Sequence, residues 1–169
     1  ELMQQGIAGV MVGVGPGSVC TSREVLGIGI PQVSATIECA AARDDFYKET
    51  GKYIPIITDG GIRTGGDVCK SFAAGANAVM IGSPFAKTKE APAHGYHWGM
   101  ATWHDSLPRG TRINMGTEYS LHQLLYGPSS RTDGTLNLVG ALQICMGYVG
   151  AGTIREMNKA RMVYAPAIK

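Results

Sequence analysis

Apolar residues in this chain gather into three short runs, Ala8 to Val14, Tyr53 to Thr58 and Ala78 to Ile81, and each run empties into a glycine-bearing turn. Runs that are short, apolar throughout and flanked by glycine predict buried parallel strands. Between them the spacing becomes helical. Gln32 to Thr50 predicts a long amphipathic helix, opened by Pro31 and stopped by Gly51. Val68 to Ala74 predicts a short helix closed by Gly75, and Leu136 to Met146 another that ends at Gly147. Thr153 is the expected cap of a last helix running to Lys159. From His94 to Gly134 the periodicity lapses, in a stretch that holds the histidines and tryptophans. A segment this long without clear elements predicts an active-site lid, residues 94–134.

Strand, glycine turn, helix, strand is the rhythm of a (β/α) barrel, an α/β fold whose ligand groups sit at the C-terminal strand ends. A complete barrel needs about 250 residues. With 169 residues the chain is expected to form one unit, residues 1–169, that is part of such a barrel. Three parallel strands alone would leave apolar faces uncovered.

Composition narrows the partners. The chain is 44% hydrophobic and 17% charged with a net charge of +2 and no basic run, so nucleic acid and membrane surfaces are not expected. No apolar stretch reaches the length of a membrane span, and the N-terminus does not read as a signal peptide, which leaves the cytoplasm. The cysteines Cys20, Cys39, Cys69 and Cys145 show no metal-type pairing and fit a reducing compartment. The last three lie in helical patterns, as small core residues do.

The candidate chemistry sits in the glycine turns. After the first run come Gly13, Gly15 and Gly17 and then Cys20, a cysteine in a loop whose bare backbone groups can face a ligand. Such a cysteine is placed for nucleophilic attack; the plainer alternative is an inert buried thiol. Asp59 ends the second run and can accept from two ribose hydroxyls, although an ordinary helix N-cap is the competing reading. Gly60, Gly61, Gly82 and Ser83 can donate backbone and hydroxyl hydrogens to a phosphate.

The string Gly15-Pro16-Gly17-Ser18-Val19-Cys20-Thr21-Ser22-Arg23, the segment Gly27 to Gln32, Asp59-Gly60-Gly61-Ile62 and Ile81-Gly82-Ser83 together resemble the IMP dehydrogenase/GMP reductase family. The resemblance covers essentially the whole chain and implies a (β/α)8 TIM barrel of which these are strands six to eight plus the lid. It implies that Cys20 forms a covalent adduct at C2 of a purine mononucleotide, assisted by Ser22 and Arg109. It implies substrate contacts from Ser18, Asp59, Gly60, Gly61, Gly82, Ser83, His97, Gly99, Met100 and Ala101, with His97 near the place of a usual tyrosine. NAD is the implied cofactor, with most of its contacts in the other half of the barrel. Potassium held by carbonyls of Gly15, Gly17 and Cys20, and a homotetramer or octamer, follow from the same resemblance.

Direction turns on small differences. Arg109, in Pro108-Arg109-Gly110, stands where the family carries Glu or Gln, and a reductase needs that carboxylate. Gly82-Ser83 resembles the dehydrogenase, whereas a reductase usually has two glycines. These favour oxidation of IMP to XMP with NAD+ over NADPH-dependent reduction of GMP to IMP. The dehydrogenase's adjacent Arg–Tyr pair is absent; Arg109, Arg112 or Arg131, alone or with Tyr119 or Tyr126, are the candidate water-activating groups. A barrel of other chemistry, binding flavin or phosphate, and a non-catalytic paralogue that binds purine nucleotides are the remaining alternatives.

Overall fold

The computed structural model describes residues 1–99 and 112–165. A 3-10 turn, Leu2–Gln5, precedes strand β1 (Val10–Val12), helices α1 (Ser22–Leu26) and α2 (Gln32–Thr50), and strand β2 (Ile56–Asp59). Then follow α3 (Gly65–Ala73), β3 (Ala78–Met80), α4 (Ser83–Ala86), β4 (Tyr96–Trp98), β5 (Arg112–Asn114), α5 (Leu121–Tyr126), α6 (Leu138–Val149) and α7 (Ile154–Met157). Strands β1, β2 and β3 pair in parallel in that order, with Val12 beside Thr58 and Asp59 beside Met80. All three strands are shorter than the predicted runs; β1 and β3 fall inside theirs, and β2 runs one residue past Thr58 to Asp59.

Side chains alternate across this sheet. Val12, Ile56 and Thr58 are buried beneath α2 and α3, while Met11 and Met80, of the opposite parity, remain exposed. The main core lies on the helical side, where Val68, Cys69 and Phe72 of α3 meet Leu138 of α6, Leu124 of α5 and Met157 of α7. Helix starts are chemically marked. Thr64, Ser120 and Thr153 each accept from the backbone N–H three residues on, and Asp67, Gln123 and Glu156 bond back.

Three expectations need correction. Helix α2 has the predicted bounds but is not amphipathic: it buries Thr36, Ala40 and Arg43 and exposes Val33 and Ile37. Its contact with the sheet is polar, through Thr36 Oγ1 to Thr58 Oγ1 at 2.9 Å. Helix α6 passes through Gly147 to Val149 and is closed by Gly150 in the left-handed region, because the stop comes from the αL cap rather than from a glycine that keeps helical geometry. Residues 94–134 are not without elements. They contain an antiparallel β4–β5 pair, Tyr96 opposite Asn114, and the capped helix α5.

Arg43 holds the far end of the sheet. It is almost completely buried and donates to Gly75 O at 2.8 Å and to Asn77 Oδ1 at 2.9 Å, with its guanidinium over the Tyr53 ring. Asn77 Oδ1 also accepts from Ile56 N–H at 2.9 Å, and its Nδ2 donates to Tyr53 Oη at 2.7 Å. Removing one partner would leave a buried cation and a strand N–H short of an acceptor. Asn77→Ala is therefore expected to cost about 2–4 kcal/mol of stability, read from urea unfolding; a loss near zero would show that the network contributes nothing.

Candidate active site

Parallel strands place their C-terminal ends at one edge, so the loops after β1, β2 and β3 must meet there. They interlock closely. A Cβ on Gly13 would lie 2.2 Å from Asp59 O, and one on Gly60, whose φ is +90°, would lie 2.8 Å from Pro16 Cγ. The turn after Asp59 thus packs directly against the loop that carries Cys20. Gly99 approaches the same loop: a Cβ on it would lie 3.5 Å from Val19 O.

Cys20 is half-buried, two residues ahead of α1, and its thiol donates to Ser22 Oγ at 3.4 Å. Ser22 itself is buried. The expected thiol and hydroxyl partners are therefore adjacent. Ser18, from the same loop, hydrogen-bonds Ser83 Oγ at the start of α4, and Ser83 Oγ lies 3.1 Å from Nδ1 of His97 on β4. Three segments that are 65 and 14 residues apart in sequence thus contribute one polar chain. Gly82 permits it: a Cβ there would fall 3.0 Å from His97 Cε1. Burial holds the His97 imidazolium below its ordinary range, and with Nδ1 engaged by Ser83 the second ring nitrogen, Nε2, is the one left for a ligand.

Asp59 has no side-chain hydrogen bond or ion pair among the described residues, and burial raises its carboxyl above the ordinary range. The helix-cap alternative fails, because Thr64 caps α3. An unpaired, partly desolvated carboxylate at a strand end is a group held ready for a donor it does not find within the fold. Two backbone groups are less free than expected. Gly60 N–H reaches toward Met80 O at 3.4 Å, and Gly17 O accepts from Cys20 N–H at 3.0 Å.

Among the described residues one candidate water-activating pair meets, Arg131 lying 5.7 Å from the centroid of the Tyr119 ring, but both groups are engaged elsewhere. Arg131 Nη2 is held by Glu118 at 2.8 Å, which pushes its pKa further up, and Glu118 also binds Lys87. Tyr119 is buried, donates to Pro84 O at 3.2 Å and has its phenol raised by burial. Arg112 stacks over Tyr96 at 4.3 Å on the exposed side of the hairpin, and Tyr126 packs on His122. Arg109, Met100 and Ala101 lie outside the described residues.

Sequence reasoning missed the tie between Ser18 and Ser83, since only the fold brings position 18 beside position 83. It missed Arg23 as well, whose contacts are treated below.

A model of the IMP dehydrogenase/GMP reductase domain matches residues 1–105. The chain belongs to that family. An uncharacterized oxidoreductase of Mycolicibacterium smegmatis is 44% identical over 163 residues, covering 94% of this chain and 44% of that protein. The inosine-5'-monophosphate dehydrogenase of Aquifex aeolicus is 40% identical over 179 residues, covering 96% and 35%. Among solved structures, an IMP dehydrogenase/GMP reductase-like protein from Corynebacterium glutamicum superposes with a TM-score of 0.85 at 37% identity, over 95% of this chain and 43% of that one. A GMP reductase variant from Trypanosoma brucei, in complex with guanosine 5'-monophosphate, gives 0.73 at 33% identity, over 94% and 34%. The α/β fold is thus similar to that of the family's barrels, and the chain spans less than half the length of these relatives.

The Asp59 environment generates a stability prediction. A carboxyl raised in the folded state resists ionisation there, so its cost is absent below the unfolded pKa of about 3.9 and complete above the folded value. Asp59→Asn is expected to melt at or above the wild-type temperature at neutral pH, with the advantage vanishing in acid. A clear loss of Tm at neutral pH would mean the carboxylate has a stabilising partner.

Proposed function

We propose that the chain provides the nucleophile and the nucleotide cradle of a purine-mononucleotide oxidoreductase that oxidises IMP to XMP with NAD+. In this reading it forms the C-terminal part of a (β/α)8 barrel, strands six to eight, with residues 94–134 as lid. The observation that carries the proposal is the convergence, at one strand edge, of Cys20 with Ser22, the Ser18–Ser83–His97 chain and the unpaired Asp59.

The chemistry follows from those positions. The Cys20 thiol, hydrogen-bonded to Ser22 Oγ, loses its proton to solvent, and the thiolate attacks C2 of the hypoxanthine, forming a C–S bond. NAD+, when bound, accepts the hydride that leaves C2, and none of the described residues is assigned to it. Water then adds at C2, the C–S bond breaks with its electrons returning to sulfur, and the proton from water is released. The sum is IMP, NAD+ and water giving XMP, NADH and a proton. Asp59 accepts from the ribose hydroxyls, and Gly61, Gly82, Ser83, Ser18 and His97 surround the phosphate. Nε2 of His97 is the ring nitrogen left for it.

Gly15, Gly17 and Cys20 would supply three carbonyls of a potassium shell, and Gly17 O, which accepts from Cys20 N–H, keeps a second lone pair. No step here uses a cation. The direction rests on Ser83 and on Arg109 in the place of the family's Glu or Gln. A reductase must protonate departing ammonia, and an arginine there disfavours that. The four free cysteines suit a reducing, cytoplasmic setting.

The paired assay of the whole protein, IMP with NAD+ and GMP with NADPH, followed by nicotinamide absorbance, tests the reading. IMP oxidation is expected and GMP reduction is not; the reverse outcome would replace the dehydrogenase with a reductase. Cys20→Ser is expected to lose turnover while still binding IMP, and Asp59→Asn to bind IMP about tenfold or more weakly. Turnover surviving in Cys20→Ser would remove the covalent step.

His97 predicts a pH dependence. A phosphate dianion beside the imidazole favours its protonated form, so binding takes up a proton where the free protein's ring has lost one. Affinity for IMP is then expected to fall as pH rises through the free ring's lowered pKa, which lies below about 6.5, by up to about tenfold per unit until the ring of the complex has also titrated. His97→Tyr is expected to flatten the part of the profile that the nucleotide's own phosphate does not explain. Identical profiles for the two proteins, by titration calorimetry, would show that His97 stays neutral throughout.

A further inference from the structure

The segment carrying Cys20 leaves β1 at Gly13 and rejoins the fold at Pro31, the N-cap of α2. Arg23 spans its stem. From α1 it donates Nε–H to Val14 O at 3.0 Å and Nη2–H to Ile30 O at 2.7 Å. Val14 opens the loop and Ile30 closes it. Gln32 adds a second rung, donating from Nε2 to Val12 O. The arginine stem is slotted between two glycines: a Cβ on Gly15 would lie 2.8 Å from Arg23 Cγ, and one on Gly29 would lie 2.7 Å from Nε. Gly15 also has a φ of +74°. Two of the loop's glycines, Gly15 and Gly29, thus make room for one side chain.

We propose that Arg23 is a positioning residue: its guanidinium, seated between Gly15 and Gly29, closes the loop at both ends and so fixes Cys20 and Ser22 for attack. The proposal rests on reading Cys20 as the nucleophile. The geometry favours arginine specifically. A planar fork presents two N–H groups in a fixed relation, so one side chain satisfies two carbonyls that belong to opposite ends of the loop. An ammonium on a lysine stem is a point donor and cannot hold that relation. Arg23 is also adjacent in chain to Ser22, and its own carbonyl accepts from Gly27 N–H at 3.1 Å, so the clasp and the thiol's partner share one helical turn. A loop closed in this way starts from a smaller conformational ensemble, which reduces what the attack geometry must still restrict.

The test uses the whole protein with Arg23→Ala and Arg23→Lys. In Arg23→Ala, amide hydrogen exchange over residues 14–30 is expected to quicken while β2 and α3 keep their protection. IMP oxidation is expected to fall on the order of 100-fold in kcat, as a displaced nucleophile would produce. Guanidinium ion, well below denaturing concentrations, is expected to restore part of kcat in Arg23→Ala and none in Arg23→Lys, where the stem fills the slot. A merely structural arginine would lower Tm without guanidinium rescue, and that result overturns the proposal, as does unchanged exchange over 14–30. If the covalent reading itself fails, Cys20→Ser retains turnover, whereas the exchange measurement still reports on the clasp, so the two failures are separable.

Discussion

Parallel pairing in sequential order is the constraint from which the rest follows. With β1, β2 and β3 side by side and pointing the same way, every loop that leaves a strand leaves at one edge, and every return crosses the helical face. The chain cannot avoid crowding its three glycine turns together. That crowding appears as Gly13 against Asp59 O and Gly60 against Pro16. Each glycine removes a side chain where two loops touch, and what remains at the surface of the junction is a thiol, a carboxylate and two hydroxyls. The site is the by-product of packing three strand ends, with the reactive groups placed on whichever loop positions were not consumed by contact.

The polar groups divide by task. At the opposite end of the sheet Arg43, Asn77 and Tyr53 are mutually satisfied, and the ion pairs of Glu118 with Lys87 and Arg131 tie the described part of 94–134 to the segment following α4. At the strand edge the balance is different. Among the described residues Asp59 has no side-chain partner and Gln32 Oε1, beneath Gly13, is buried without one, while burial lowers the pKa of His97. The fold completes its hydrogen bonds where it needs rigidity and leaves them open where a ligand can complete them.

The parts legible in sequence were those with a local cause. The three apolar runs became strands, Gly51 ended α2, Thr153 capped α7, and the glycine turns located Cys20, Asp59 and Ser83 at strand ends. What failed was whatever depends on partners distant in the chain. Helix α2 reads as amphipathic because Val33 and Ile37 are apolar, yet the side that meets the sheet is chosen by Thr36 and Arg43, whose partners Thr58, Gly75 and Asn77 lie at least 22 residues away. The β4–β5 pair was invisible because its strands are three residues each, too short for alternation to register, and Arg112 stacked on Tyr96 and Trp98 is a cross-strand contact with no sequence period. The Ser18–Ser83 tie has the same origin.

The lengths of the alignments bear on how the reaction ends. Relatives called IMP dehydrogenase align over 181 and 179 positions, against 163 for the uncharacterized oxidoreductase of Mycolicibacterium smegmatis, while covering 94–96% of this chain in each case. The dehydrogenases therefore hold additional residues within the aligned region, and this chain shares its shorter length with the oxidoreductase. The described residues agree with that economy. Arg131 and Tyr119, which could have served as a water-activating pair, are committed to Glu118 and to Pro84 O, and Arg112 faces away from His97 across the hairpin. In the proposed reaction attack draws on the strand edge and nucleotide binding also on His97 of the 94–134 segment, whereas release of the adduct calls for a base that the edge does not contain among the described residues.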